Sequence, residues 1–245
     1  MDLFDEVDRP LPFQLPNADG YHYEWAESSR CFKVSVPGGY LSFSSDFLSK
    51  SISGEFVRYF QQNKTVGTTD VDWRTVGQID LVDFENVLWK QDLIKMYGDV
   101  YPLPRLTSWY GDSGKSYSYS GITSQPNAWT TKLLELKLMV ESAANSTFNS
   151  VLLNWYRDGS DYLSWHADDE PELGQEPTIA SVSFGETRDF VLRRKQNHAE
   201  KIMVPLEHGS LLVMSGKLQS YWEHSVPKRR RVQGSRFNLT FRSIS

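Results

Sequence analysis

The 245-residue chain has one cysteine, Cys31, so it can form no disulfide within itself and no zinc site built from cysteines, which fits a reducing compartment. No apolar run is long enough to span a membrane. The acidic start MDLFDEVD also lacks the basic and apolar regions of a secretion signal. Basic residues number 26 against 31 acidic ones, a net charge of −5, so no overall positive field draws the chain to nucleic acid. Any such contact must come from a local patch. These absences predict an intracellular protein, and what is present is globular. The chain is 39% hydrophobic and 13% aromatic, and its length is one that a single β domain commonly fills.

Chemistry concentrates between Asn154 and Glu170, NWYRDGSDYLSWHADDE. His166 and Asp168 are separated by one residue, so in extended chain both side chains leave the same face, as two ligands of one ion must. A His-x-Asp alone is common as a hydrogen-bonded pair and needs a third ligand. His224 in YWEHSVP is the best candidate, because it precedes the strand-like RFNLTFR at 236–242. Two histidines and one carboxylate make the facial set of non-haem Fe(II) oxygenases, which leaves positions open for cosubstrate and dioxygen. In RFNLTFR, Phe237, Leu239 and Phe241 alternate with Arg236, Asn238, Thr240 and Arg242, the period of a strand with one apolar face. VLLNWYR behaves alike, with Asn154 and Tyr156 on one face. Polar faces on two such strands suit a small barrel that binds a dianionic acid, since arginine offers carboxylate a planar fork. A zinc hydrolase can also use two histidines and a carboxylate, but it has no need of paired arginines on a lumen strand.

Elsewhere, YHYEW and CFKVSV read as short strands, with Pro37, Gly38 and Gly39 turning into YLSFS. Residues 51–63 read as a helix with Phe56, Tyr59 and Phe60 on one side, and 64–80 as a polar loop. VLWKQDLIKMYGDVY is extended until Pro102 and Pro104 end it. WYGDSGKSYSYSG, at 109–121, has the composition of a loop that presents rigid aromatics or of a packed aromatic hairpin, and 131–144 is an amphipathic supporting helix. IASVSFGETRDFVLRRK reads as a hairpin turning at GETR, followed by KIMVPL and SLLVMSG split by EHG. Closely spaced short strands favour a sandwich or jelly roll. His208 in the EHG turn and His198 in a loop are poorer ligand candidates than His224. The run Lys228, Arg229, Arg230, Arg231 is a solvated loop, a phosphate-contacting patch or a nuclear address, and its place between His224 and Arg236 favours the patch.

These motifs resemble, in order, those of the AlkB-like Fe(II)/2-oxoglutarate dioxygenases that dealkylate nucleic-acid bases, nearest to the DNA-acting mammalian-type branch. The resemblance runs from about Met96 to Ser243, through MYGDVYPLPR, WYGDSGKSYSYSG, the Asn154–Glu170 stretch, LEHGSLLVMSG, HSVPK and RFNLTFR. It implies a mainly β (α+β) fold, a double-stranded β-helix or jelly roll with flanking helices and an N-terminal lid. One catalytic domain would occupy 46–245, with lid segments at about 85–125, and 1–45 would be an extension of open role. The resemblance further implies iron on His166, Asp168 and His224, and 2-oxoglutarate on Asn154, Tyr156, Arg236, Asn238 and Arg242, with O2 as cosubstrate. Tyr117, Tyr119, Asp169 and Glu170 would contact the target base, and Met96 with Tyr97 would wedge into a duplex. The implied reaction is oxidative demethylation of 1-methyladenine or 3-methylcytosine in DNA, with formaldehyde released and 2-oxoglutarate converted to succinate. The same resemblance implies a monomer, nuclear in a eukaryote and otherwise cytoplasmic. Demethylation of RNA or single-stranded DNA is the alternative within the family. A non-catalytic jelly-roll binding module is the alternative outside it.

Overall fold

A computed structural model of the chain describes residues 9–62, 86–96, 99–114, 117–119, 122–124 and 126–245, excluding the side chains of 62, 94–96, 117–119 and 122–124. In chain order the elements are β1 (His22–Ala26), β2 (Cys31–Val36), β3 (Gly39–Ser44), α1 (Lys50–Gln62), β4 (Leu93–Met96), β5 (Asp99–Pro102), β6 (Leu106–Gly111), β7 (Tyr117–Tyr119) and β8 (Ile122–Ser124). They continue with α2 (Thr131–Ala144), β9 (Ser150–Tyr156), β10 (Leu163–His166), β11 (Ile179–Gly185), β12 (Arg188–Arg194), β13 (Asn197–Leu206), β14 (Leu211–Gly216), α3 (Leu218–Tyr221), β15 (Trp222–Val226) and β16 (Arg236–Arg242). An eight-stranded sheet runs β1-β2-β3-β14-β11-β16-β9-β6, and a four-stranded sheet runs β10-β15-β12-β13. This is the jelly roll expected. Among the described residues, the ribbons β4-β5 and β7-β8 pair only within themselves.

The middle of the large sheet is buried on both faces, which is why β16 has all seven residues buried although its sequence alternates apolar and polar. Phe237, Leu239 and Phe241 pack outward under the two helices, with Phe60 of α1 5.2 Å from Phe237 ring to ring. Leu133, Leu136 and Val140 of α2 join the same core. A cap on Thr130, whose Oγ1 accepts from Leu133 N, starts α2, and Asn145 in the left-handed region (φ 48°) ends it. A second core fills the space between the sheets, where Val34, Leu41 and Phe43 meet Phe190, Leu192, Ile202 and Val204. Arg236, Asn238, Thr240 and Arg242 lie on the other face of β16, so a polar row runs the length of that strand beside this second core.

Two readings of the sequence are corrected here. IASVSFGETRDFVLRRK is not a hairpin: β11 lies in the large sheet and β12 in the small one. Both edges of β11 are taken, by β14 and β16, so the chain leaving Gly185 (φ 83°) must cross to the other sheet. The EHG turn crosses back in the same way between β13 and β14. Nor does residue 45 separate an extension from the barrel. β3 pairs with β14 over six residues, from Leu211↔Ser44 to Gly216↔Gly39, so β1 to β3 complete the large sheet. The expected loop at 64–80 lies outside the described residues.

Candidate active site

His166 ends β10 and pairs directly with His224 of β15. That pairing brings together two histidines far apart in sequence, with ring centroids 4.3 Å apart. Asp168 follows on the same side, its Oδ1 3.7 Å from His166 Nε2, and one ligand atom from each residue lies within 4.8 Å of the others. His166 Nδ1 sits 2.9 Å from the Ser164 carbonyl, which can only accept, so Nδ1 carries the hydrogen and Nε2 keeps its lone pair for a metal. Phe190 stacks on the His224 ring at 4.8 Å. Gln219, on α3, accepts from Asp168 N at 3.0 Å and holds that backbone in place.

Both buried ligands are kept in their metal-binding protonation state. Burial alone would raise the Asp168 pKa, but the Arg242 guanidinium and the two imidazoles outweigh it and hold the carboxyl well below its ordinary range. Arg242 Nη2 donates to Asp168 Oδ2 at 2.9 Å. Burial, with His166 nearby, pushes the His224 imidazole down to about 3, so it stays neutral at physiological pH. A carboxylate and neutral imidazoles are the forms a divalent ion takes.

Strand register arranges the rest of the lumen in rows. Arg236 stands opposite Tyr156, Asn238 opposite Asn154, and Arg242 opposite Ser150. Arg242 is therefore at the metal end, and Arg236 is six residues along the strand, roughly 20 Å of extended chain away. Arg236 is 1% exposed and gives Nη2 to Ser183 Oγ at 2.9 Å. Its Nε and Nη1, and the Tyr156 hydroxyl, are buried without a hydrogen-bond partner. The phenol lies close enough for its dipole to favour the charged guanidinium, with Arg236 Cζ 5.1 Å from the ring centre, but no hydrogen bond of ordinary geometry joins them. Burial lowers the Arg236 pKa to about 10, which leaves it charged. Buried donors of Arg236 beside an unpartnered Tyr156 hydroxyl suit an anionic acceptor, such as the distal carboxylate of a dicarboxylic acid.

Asn154 and Asn238 play different parts. Asn238 Nδ2 spends its two hydrogens on Ser181 Oγ at 2.7 Å and the Val182 carbonyl at 3.1 Å, so it has no donor left for a carboxylate and instead ties β16 to β11. Asn154 Oδ1 accepts from Arg105 Nε at 2.7 Å, which leaves its NH2 group for the cavity. Arg105, Gln219, Arg188 and Ser183 went unnoticed in the sequence. Arg188 is 2% exposed and donates to the carbonyls of Asp158, Asp161 and Pro227, holding two loops at one end of the barrel.

Asp169 is exposed and paired with Lys195 at 3.1 Å, whereas Glu170 Oε2 is buried without a partner. In the basic run, Lys228 lies 4.6 Å over the Tyr162 ring, Arg229 is held by Asp189, and Arg230 and Arg231 are exposed. The side chains of Met96, Tyr117 and Tyr119, and the whole of Tyr97, lie outside the described residues.

The sequence model of the 2OG-Fe(II) oxygenase superfamily matches residues 78–242. The chain is 45% identical over 169 residues to the mouse protein named alpha-ketoglutarate-dependent dioxygenase alkB homolog 3, an alignment covering 65% of this chain and 58% of that one. It is 41% identical over 158 residues to the human protein named DNA oxidative demethylase ALKBH2, covering 62% and 60%. The chain thus spans about three fifths of the length of these relatives. The solved structure of OsALKBH1 superposes with a TM-score of 0.56 at 16% identity, covering 83% of this chain and 96% of that one, and so shares the fold. No helix among the described residues is long and apolar enough to cross a membrane. Because the match takes in every strand from β4 to β16, the chain belongs to the 2OG-Fe(II) oxygenase superfamily, on its AlkB-like side.

Proposed function

We propose that this protein is an Fe(II)- and 2-oxoglutarate-dependent dioxygenase that removes N-methyl groups from bases such as 1-methyladenine and 3-methylcytosine in DNA. One observation carries the proposal. A strand face runs from beside a His-Asp-His cluster to the unsatisfied donors of Arg236 and Tyr156, so the inner side of β16 offers both a metal site and a seat for a carboxylate. A zinc hydrolase has no use for the second feature, and a non-catalytic module has use for neither.

Iron held by His166, Asp168 and His224 would activate O2 while 2-oxoglutarate is decarboxylated to succinate and CO2, one oxygen atom going to succinate and the other to the N-methyl C–H bond. The resulting N-hydroxymethyl group breaks its C–N bond, releases formaldehyde and leaves the base unmodified. The chain's own residues bind and orient. Arg236 and Tyr156 seat the distal carboxylate, Asn154 turns its NH2 toward the metal end, and Phe190 and Met214 keep that end apolar. The methyl group lies on a Watson–Crick edge, so the base must leave the stack, and half-buried Glu170, whose Oε2 has no partner, is available to accept from its exocyclic amine. DNA is favoured by the likeness to a relative named a DNA oxidative demethylase, and Arg230 and Arg231 are exposed for phosphate contacts.

The test is anaerobic reconstitution with Fe(II), then 2-oxoglutarate turnover on admitting air, with methylated duplex DNA, single-stranded DNA and RNA. Succinate and formaldehyde in equal amounts, largest with DNA, are expected. Turnover without Fe(II), or none with any methylated substrate, would reject the proposal. Replacing Met96 and Tyr97 together by Ala tests the wedge: activity on duplex should collapse while activity on the single strand persists.

A further inference from the structure

Among the described residues Arg105 stands apart as a buried cation that the reaction, as set out above, leaves without a task. It is 4% exposed, it lines the same cavity as His166, Asp168 and His224, and no carboxylate among the described residues pairs with it. Its bond goes to a neutral group, from Nε to Asn154 Oδ1. A buried guanidinium without a counter-charge is costly unless an anion completes its surroundings. The other arginine on this cavity already has such a partner, since Arg242 is paired with Asp168.

Register shows how Arg105 reaches this position. β6 pairs with β9 so that Thr107 opposes Asn154, and Arg105, two residues before Thr107, leaves the same face. It thus stands in the row of Tyr156 and Arg236 but bends back one row to Asn154. The bond also determines which way the Asn154 carboxamide faces. A guanidinium N–H can only donate, so Oδ1 must turn to Arg105 and the NH2 must turn away from it, into the cavity.

We infer that Arg105 is a third arginine serving 2-oxoglutarate: it supplies the positive charge facing the metal-end carboxylate and, by holding Oδ1, aims the Asn154 NH2 at that carboxylate. The inference rests on the proposed cosubstrate. It makes Arg105 a specificity-determining residue for the 2-oxo-acid end, separate from the Arg236 seat for the distal end.

The experiment is calorimetric titration of Mn(II)-loaded protein with 2-oxoglutarate, without oxygen or substrate. It compares wild type, Arg105→Lys, Arg105→Met, Asn154→Ala, the Arg105→Met/Asn154→Ala double variant, and Arg236→Lys. Arg105→Met should weaken binding by roughly tenfold or more, and Arg105→Lys should recover part of the loss through charge alone. The double variant should lose much less than the product of the two single losses, because the two residues act as one unit. Folding is checked by thermal melting, and Arg105→Lys keeps the test open if the methionine variant fails to fold. Unchanged 2-oxoglutarate affinity in both Arg105 variants, or independent losses in the double variant, would overturn the inference. So would unchanged cosubstrate affinity combined with weakened oligonucleotide binding, measured separately by fluorescence anisotropy. If wild type itself fails to bind 2-oxoglutarate, the functional proposal fails instead, and loss in Arg236→Lys alone marks the opposite case.

Discussion

Arg242 Nη2 donates to Asp168 Oδ2 at 2.9 Å, so the arginine that the family resemblance places among the cosubstrate ligands is bonded to the carboxylate of the metal-ligand cluster. Asp168 is thereby fixed in orientation on two sides, by Arg242 at its carboxylate and by Gln219 at its backbone N–H. Arg242 acts through Asp168 as much as on any ligand.

Removing that contact should therefore be felt first by the metal. Arg242→Met leaves a buried carboxylate without its main counter-charge, and Fe(II) or Mn(II) affinity should fall by about 10–100-fold, the usual loss on removing a group that supports a ligand. Metal titration without cosubstrate reads this directly. Unchanged metal affinity with weakened 2-oxoglutarate binding would instead make Arg242 chiefly a cosubstrate residue.

At the far end of the strand, Arg236→Lys keeps a positive charge but loses the fork that Nε and Nη1 present. The apparent KM for 2-oxoglutarate should rise by about tenfold or more with kcat at saturation much less affected, because a point charge cannot make both bonds. An unchanged KM would remove Arg236 from the seat.

A pH-dependent contribution to stability comes from His208, whose Nδ1 accepts from Gly185 N at 3.0 Å in the crossing between the sheets. Burial and the nearby Lys50 hold its pKa below the ordinary value, and the ring of Phe184 covers it. The unfolded chain therefore binds the proton more readily. The contribution is fully present above the unfolded pKa of about 6.5 and is lost as pH falls toward the lower folded value. The Tm advantage of wild type over His208→Gln should be largest near pH 8 and shrink toward pH 5. A gap that does not change with pH would show that the contribution is not linked to protonation of the ring.

Gly159 tests the joint between the loop before β10 and the basic run. It donates to the Val232 carbonyl at 2.8 Å and accepts from Arg229 N at 2.7 Å, and a Cβ there would come within 1.8 Å of the Arg229 carbonyl oxygen. Gly159→Ala should cost about 1–3 kcal/mol, as overpacking does, and displace the run that carries Arg230 and Arg231. Thermal melting should show the first effect, and a shallower salt dependence of DNA binding the second. An unchanged Tm would show that the loops separate without penalty.

Much of this architecture is written locally. The period-two alternation of RFNLTFR and VLLNWYR marks strands and says which residues share a face, and His-x-Asp in extended chain already implies two ligands on one side. Helix α2 spans the expected residues because its cap, its apolar spacing and its left-handed end all lie within one short segment. Arg105 was illegible for the opposite reason. It follows PLP at the start of a strand, and its partner Asn154 is 49 residues on, so nothing around it signals a cavity.

The sequence by itself determined most of the strands, the two faces of β9 and β16, and the pairing of His166 with Asp168 on one side, because each depends on neighbours a few positions away. Tertiary structure decided which strands lie side by side. It sent the GETR segment across to the second sheet, set His166 opposite His224, and used up the Asn238 donors on Ser181 and Val182 while leaving those of Arg236 and Tyr156 unsatisfied. In one sequence a polar strand face reads the same whether it meets solvent or a closed lumen. Only the pairing of distant strands removes water from it, and that removal turns a row of polar side chains into a binding site.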